Sequence, residues 1–291
     1  MVLIKNKAKT FAELVKFEHT VFALPFAYLG AILALQGQVG QALPTFNQVF
    51  WITVAMVGAR SAAMGMNRLI DHELDRANPR TAGRHLPRGL VSVREVRTFI
   101  VGAISVFVFS VYRLSPGHVV YVPVILLLMI GYSYTKRVTC LSHVVLGFVI
   151  GFAPLGGWLA VKHKMELPAV LLGLLVALWI AGFDIIYATL DYDFDKKYGL
   201  YSLPVTLGLK KALAVAAVFH VVVAALLFAL RFLLGLGLWY LTGVFVTALL
   251  LYYEHTLVPP HDLSRVNTAF FNVNGLISIQ LFVFTVLDII L

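Results

Sequence analysis

Charge is what this chain has little of. Only 13% of its 291 residues are Asp, Glu, Lys or Arg, where a soluble globular domain carries about a quarter. That shortage excludes an ordinary water-soluble fold. Cysteine is scarcer still. Cys140 stands alone, so no internal disulfide can form, and the residue reads as a small packing group near a helix start. Carboxylates number 14 against 23 Lys and Arg, an excess of nine positive charges. Membrane topology accounts for that excess better than nucleic acid does, and no nucleic-acid partner is expected. What is abundant is apolar: 60% of the residues are hydrophobic and the mean hydropathy is +0.89. The chain is expected to be an integral membrane protein in contact with the lipid bilayer along most of its length. At about 20 residues per span it has room for eight or nine helices and no separate soluble domain.

Apolar runs predict nine spans, over residues 20–36, 49–66, 98–114, 118–135, 141–161, 168–187, 212–234, 238–253 and 269 to the end. The fold class expected is therefore all-α, a bundle of nine transmembrane helices forming one domain, 1–291. Lys5, Lys7, Lys9 and Lys16 precede a first span that stays in the protein rather than a cleaved signal. Gly147, Gly151, Gly156 and Gly157, with Pro154, predict close helix contact along the fifth span. With these spans, all Lys and Arg except Arg113, Lys162, Lys164 and Arg231 fall on one side. The positive-inside rule places that side, with the N-terminus, in the cytoplasm and the C-terminus outside.

The scarce carboxylates are not scattered. Half of them (Asp71, Glu73, Asp75, Asp184, Asp191, Asp193 and Asp195) fall in two short stretches, each at the end of an apolar span. Asn67, Asp71 and Asp75 stand at i, i+4 and i+8, one helical face. Tyr187, Asp191 and Asp195 repeat the spacing 120 residues later. The echo continues, with Arg84-His85-Leu86-Pro87 facing Tyr201-Ser202-Leu203-Pro204 at an offset of 117. A parallel internal duplication is the reading, with both stretches at the cytoplasmic end. Carboxylates at a membrane span are expensive and mark function. Hard oxygen ligands beside several Arg and Lys fit a polyphosphate held by Mg²⁺. At the mouth of an apolar bundle, that means a diphosphate head on a lipid tail.

These residues carry a resemblance. Asn67-x3-Asp71-x3-Asp75 followed by Asn78-Pro79-Arg80-Thr81-Ala82-Gly83-Arg84-His85-Leu86-Pro87 resembles the first signature of the UbiA-type intramembrane aromatic prenyltransferases. The run from Asp184 through Tyr187, Asp191 and Asp195 to Gly199 resembles the second, and Tyr132-x3-Lys136 a further family element at the end of the fourth span. The resemblance covers essentially the whole chain. It implies helices around a central cavity and transfer of a prenyl group from a polyprenyl diphosphate to an aromatic acid. It implies Mg²⁺ held by Asn67, Asp71, Asp75, Asp191 and Asp195, with Asp71 and Asp191 as the catalytic pair. Asp191 is a candidate to stand near the reacting carbon or to accept the ring proton. Arg60, two turns before Asn67, corresponds to a position associated with the acceptor carboxylate; Arg84 and His19 are further candidates for that polar pocket. Tyr132 and Lys136 would contact the diphosphate side, and Asn67 and Tyr187 are further substrate-binding candidates.

The acceptor the resemblance implies first is 4-hydroxybenzoate, on the way to ubiquinone, in a bacterial cytoplasmic (inner) membrane. A dihydroxynaphthoate, leading to menaquinone, is the alternative. An ion-coupled transporter is the alternative of another class, since intramembrane aspartates and an internal repeat suit that too. Carboxylates at helix ends rather than mid-membrane favour the enzyme. Nothing in the sequence sets an oligomeric state.

Overall fold

A computed structural model describes residues 2–15, 20–37 and 42–291. All regular structure among them is helical. The long helices are α2 (Thr20–Leu33), α3 (Phe46–Ile70), α5 (Val93–Leu114), α6 (Val122–Thr135, entered through a 3-10 turn at Pro116–Tyr121), α7 (Ser142–Lys162), α8 (Leu167–Ala188), α11 (Leu209–Leu234), α12 (Leu238–Leu257) and α13 (Asn274–Ile290, entered through a π-helical turn at Thr268–Val273). Shorter ones are α1 (Val2–Leu14), α4 (His72–Ala77), α9 (Tyr192–Lys197) and α10 (Leu203–Leu207). Nine long helices in the expected order thus stand among the described residues. Seven segments are long and apolar enough to cross a membrane. The other two are α2, which is apolar but short, and α12, whose 20 residues include Trp239, Tyr240, Glu254 and His255. The protein is an integral membrane protein.

Two of the helix starts that differ from the sequence expectation do so for a capping reason. Helix α5 begins at Val93 rather than near 98, because Ser92 and Glu95 form a capping box: Ser92 Oγ accepts from the Glu95 amide and the Glu95 carboxylate accepts from the Ser92 amide. Helix α3 begins at Phe46 rather than 49. There Gln48 Oε1 accepts from the Thr45 amide at 2.9 Å and Thr45 Oγ1 accepts from the Gln48 amide at 3.3 Å. Both boxes satisfy amides that the first helical turn leaves open.

The chain divides into two compact units, one of residues 1–20 and 50–134, the other of 21–49 and 135–291. In the first, α5 packs on α3 where Gly58 lies against the backbone of Phe107; a Cβ on Gly58 would stand 2.9 Å from the Phe107 amide nitrogen. In the second, α8 is the most deeply buried of the candidate spans. Helix α7 lies against it through Gly147 and Gly151, and against α2 through Gly157, whose missing Cβ would overlap the Ala27 carbonyl. Close approach of small residues is how helices gain contact in lipid, where apolar burial supplies no driving force. The fifth-span expectation holds at these three glycines. Gly156 faces open space.

Candidate active site

The first acidic stretch lies within the first unit. Helix α3 ends at Ile70, Asp71 stands at the junction, and α4 follows. Backbone bonding continues across the junction, from the Asp71 amide to the Asn67 carbonyl at 2.9 Å and from the Asp75 amide to the Asp71 carbonyl at 2.7 Å. The i, i+4, i+8 spacing is therefore realised as successive turns, as expected. Asn67 Nδ2 donates to Asp71 Oδ2 at 2.8 Å and to Ser133 Oγ at 3.4 Å. Asp75 is 5% exposed and lies between two guanidinium groups. Arg84 Nη1 donates to its Oδ1 at 2.5 Å, and Arg68 Nη1 is 4.0 Å from its Oδ2. That Oδ2 is buried and accepts no hydrogen bond. The loop after α4 is tied to the same residue, since Thr81 Oγ1 donates to the Asp75 backbone carbonyl at 3.1 Å.

The second stretch repeats this local form within the second unit. After α8, a 3-10 turn over Thr189–Asp191 leads into α9. Asp71 has φ −93° and ψ 10°, and Asp191 has φ −101° and ψ 5°. Each precedes a six-residue helix, 72–77 and 192–197, so the 120-residue offset read from the sequence is also an offset in backbone shape. Asp191 and Asp195 are buried, at 6% and 1% exposure, whereas Asp193, like Glu73 in the first stretch, is exposed. Lys136 Nζ donates to Asp195 Oδ2 at 3.4 Å, and the Tyr201 amide donates to the Lys136 carbonyl at 2.8 Å. Gly199, with φ +66°, makes the left-handed turn that returns the Leu200 amide to the Asp195 carbonyl at 2.9 Å. The second echo does not extend to structure: Ser202 caps α10, while residues 84–87 form turns.

Other expected site residues are placed as follows. Arg60 is half-buried on α3, and Tyr132 is half-buried on α6. Tyr187 is half-buried and stacks on Phe270, ring centroids 4.2 Å apart. His19 lies outside the described residues. Sequence reasoning passed over two groups. Arg68 is 7% exposed; its Nε donates to the Leu14 carbonyl at 3.4 Å and its Nη1 to Asn67 Oδ1 at 3.5 Å. His143, fully buried, shares a 2.7 Å hydrogen bond between its Nδ1 and Asp184 Oδ2. An arginine wedged between Asn67 and the first Asp of a motif was the available signal for Arg68. None existed for His143, which is 41 residues from its partner.

Among the described residues no three His, Cys, Asp or Glu side chains converge as a ready-made metal cage. Magnesium does not require one, because it is usually held by one or two carboxylates plus phosphate oxygens and water. The buried Asp75 Oδ2 with no hydrogen bond to fill it, and the all-oxygen donor set of each stretch, fit such an ion.

All-helical, membrane-embedded, with two buried aspartate turns each braced by cations, the molecule has the build of an intramembrane transferase acting on a charged head group. Residues 23–276 match the family model described as UbiA prenyltransferase family. The chain belongs to that family and is a prenyltransferase. It is 29% identical over 277 residues to a 4-hydroxybenzoate octaprenyltransferase of Citrobacter koseri, covering 94% of this chain and 93% of that one. The apo structure of a UbiA homologue from Aeropyrum pernix K1 superposes with a TM-score of 0.83 at 34% identity, covering 93% of this chain and 98% of that one. A UbiA homologue from Archaeoglobus fulgidus, solved bound to GPP and Mg²⁺, shares the fold at 15% identity, with a TM-score of 0.73 and coverage of 95% and 99%. Family membership sets aside the transporter alternative.

Proposed function

We propose that this chain, acting as a single domain over 1–291, transfers a polyprenyl group from a polyprenyl diphosphate to 4-hydroxybenzoate. The observation that carries this is the pair of matching aspartate turns, Asp71/Asp75 and Asp191/Asp195, each with one buried carboxylate bound to a cation. The relative named for the 4-hydroxybenzoate reaction, similar over nearly the whole chain, supports that acceptor over a dihydroxynaphthoate. The cationic N-terminal side, carrying both stretches, is assigned to the cytoplasm of a bacterial inner membrane.

Asn67, Asp71, Asp75, Asp191 and Asp195 would hold Mg²⁺, which when bound neutralises diphosphate charge and improves the leaving group. Arg84 and Lys136, now engaged with Asp75 and Asp195, supply further positive charge to the diphosphate. Tyr132 and Tyr187 are the further residues proposed to contact substrate. The C–O bond breaks with both electrons leaving on the diphosphate oxygen. The allylic cation so formed is attacked by the ring carbon ortho to the hydroxyl. Asp191 accepts the ring proton as aromaticity returns. Asp71 stabilises the charge that develops on the departing diphosphate. Arg60 offers a two-pronged guanidinium to the acceptor carboxylate.

An acceptor panel tests this reading. Purified protein is given a polyprenyl diphosphate with 4-hydroxybenzoate, a dihydroxynaphthoate or a phenol lacking the carboxylate, and the 4-hydroxybenzoate arm should yield the prenylated product by mass. Turnover confined to the naphthoate would overturn the acceptor assignment. Arg60→Ala should raise KM for the benzoate roughly tenfold to hundredfold, the worth of one charge-assisted pair, and change KM for the diphosphate little. Equal loss of both would remove the carboxylate role.

A further inference from the structure

Asn274 opens α13, far in sequence from either acidic stretch, and its side chain is fully buried. Within the second unit it is the hub of a polar network inside an otherwise apolar core. Trp179 Nε1 donates to Asn274 Oδ1 at 2.8 Å. Asn274 Nδ2 donates to Glu254 Oε1 at 2.6 Å, and to the carbonyls of Ala269 at 3.1 Å and Phe270 at 3.3 Å. The indole can only donate, which fixes the amide's orientation. Glu254 is itself fully buried, and its second oxygen lies 3.5 Å from His220 Nδ1. Burying this much polarity in a membrane span is costly unless it is satisfied and used.

The two carbonyls that Asn274 holds belong to the π-helical turn Thr268–Val273. Such a turn inserts an extra residue and disturbs the regular i to i−4 ladder; single π turns recur at functional sites. The residue it presents is Phe270. Its ring stacks on Tyr187, with 4.2 Å between centroids and 29° between planes, and meets Phe183 edge-on at 5.1 Å. Tyr187 occupies in the second stretch the place of Asn67 in the first, one turn before Asp191. Along α8, Tyr187, Phe183 and Trp179 stand at four-residue intervals on one face. One face of α8 thus carries both ends of the path: Trp179 anchors Asn274, and Tyr187 receives Phe270.

We infer that Asn274, braced by Trp179 and Glu254, is a positioning residue that fixes the π turn so that Phe270 holds the Tyr187 ring beside the second acidic stretch. The inference rests on the reading of Tyr187 as a substrate-side residue. Losing the brace frees Phe270 and lets the Tyr187 ring rotate, and the effect falls on binding of the prenyl diphosphate. An aromatic stack of this kind corresponds to about a tenfold effect.

The test uses the full chain in lipid nanodiscs, with KM for a prenyl diphosphate, kcat and melting temperature measured for Asn274→Leu, Phe270→Leu, the double variant and Tyr187→Leu. The expected result is a roughly tenfold rise in KM for each single variant and no further rise in the double, since both act through one ring. A fall in melting temperature for Asn274→Leu with KM unchanged would overturn the inference, as would multiplicative effects in the double. If Asn274→Leu does not fold, Trp179→Phe removes the indole hydrogen bond while keeping an aromatic ring against Phe26 and Phe183. It should raise KM severalfold, and an unchanged KM there counts against the inference equally. Tyr187→Leu separates the two levels. If it leaves KM unchanged, the substrate-side reading of Tyr187 falls and takes the inference with it; if it raises KM while Asn274→Leu does not, the inference alone falls.

Discussion

Asp191→Ala is expected to lower kcat for prenyl transfer by about three orders of magnitude, the scale of losing a proton acceptor together with transition-state charge stabilisation. Asp193→Ala, two residues on, should stay within about threefold of the parent. The contrast follows from the helical turn. Asp191 stands at the start of α9 and is buried, as is Asp195 one turn later, whereas Asp193 points to solvent. An exposed carboxylate can leave with little consequence; a buried one in an apolar surround is there because something compensates it. The same pattern in the first unit sets Asp75 apart from exposed Glu73. Comparable losses for Asp191→Ala and Asp193→Ala in a single-turnover assay would mean that the acidic ends act only as a diffuse field.

The second large effect concerns stability. Arg68→Leu should destabilise the protein by about 3 kcal/mol, the lower end for breaking a buried ion pair from one side, and so lower the melting temperature by roughly 6–12 °C. The guanidinium reaches Asp75, Asn67 and the Leu14 carbonyl. Its loss leaves the buried Asp75 with Arg84 alone for a cation, and leaves the end of α1 without its donor. Arg76→Ala provides the comparison. That arginine pairs with Glu73 at 3.5 Å in an exposed position, and such pairs contribute about 0–1 kcal/mol. Equal melting temperatures for the two variants would show that Arg68 is only a topology charge.

That arginine also marks where the sequence stopped being legible. Read along the chain, Arg68 is one basic residue among many on the cytoplasmic side, set apart from Arg76 only by its place between Asn67 and Asp71. The fold supplies the rest, by bringing Leu14 and Asp75 to the first and solvent to the second. The acidic turns were legible because their information is local. A four-residue period survives any tertiary arrangement, and a repeat at 120 residues survives as matching φ and ψ at Asp71 and Asp191. The starts of α3 and α5 were legible in principle, since Thr45/Gln48 and Ser92/Glu95 both carry the spacing of a capping box. Hydropathy alone placed these starts three to five residues late, because capping residues are polar and lie outside the apolar run. The Trp179–Asn274–Glu254 network could not be read at all. Its members lie 95 and 20 residues apart, and each alone is an ordinary polar residue in a span. The π turn before Asn274 likewise has no local signature, because it depends on the amide that holds its carbonyls.

The central claim is metal-dependent departure of diphosphate from a prenyl donor. The most direct measurement is diphosphate release by the purified chain in nanodiscs, with a polyprenyl diphosphate and 4-hydroxybenzoate, in Mg²⁺ and again with the metal removed by EDTA. The account predicts release that is stoichiometric with prenylated benzoate, abolished by EDTA and restored by added Mg²⁺. Release that persists unchanged in EDTA, or none in Mg²⁺ with any aromatic acid offered, would contradict it.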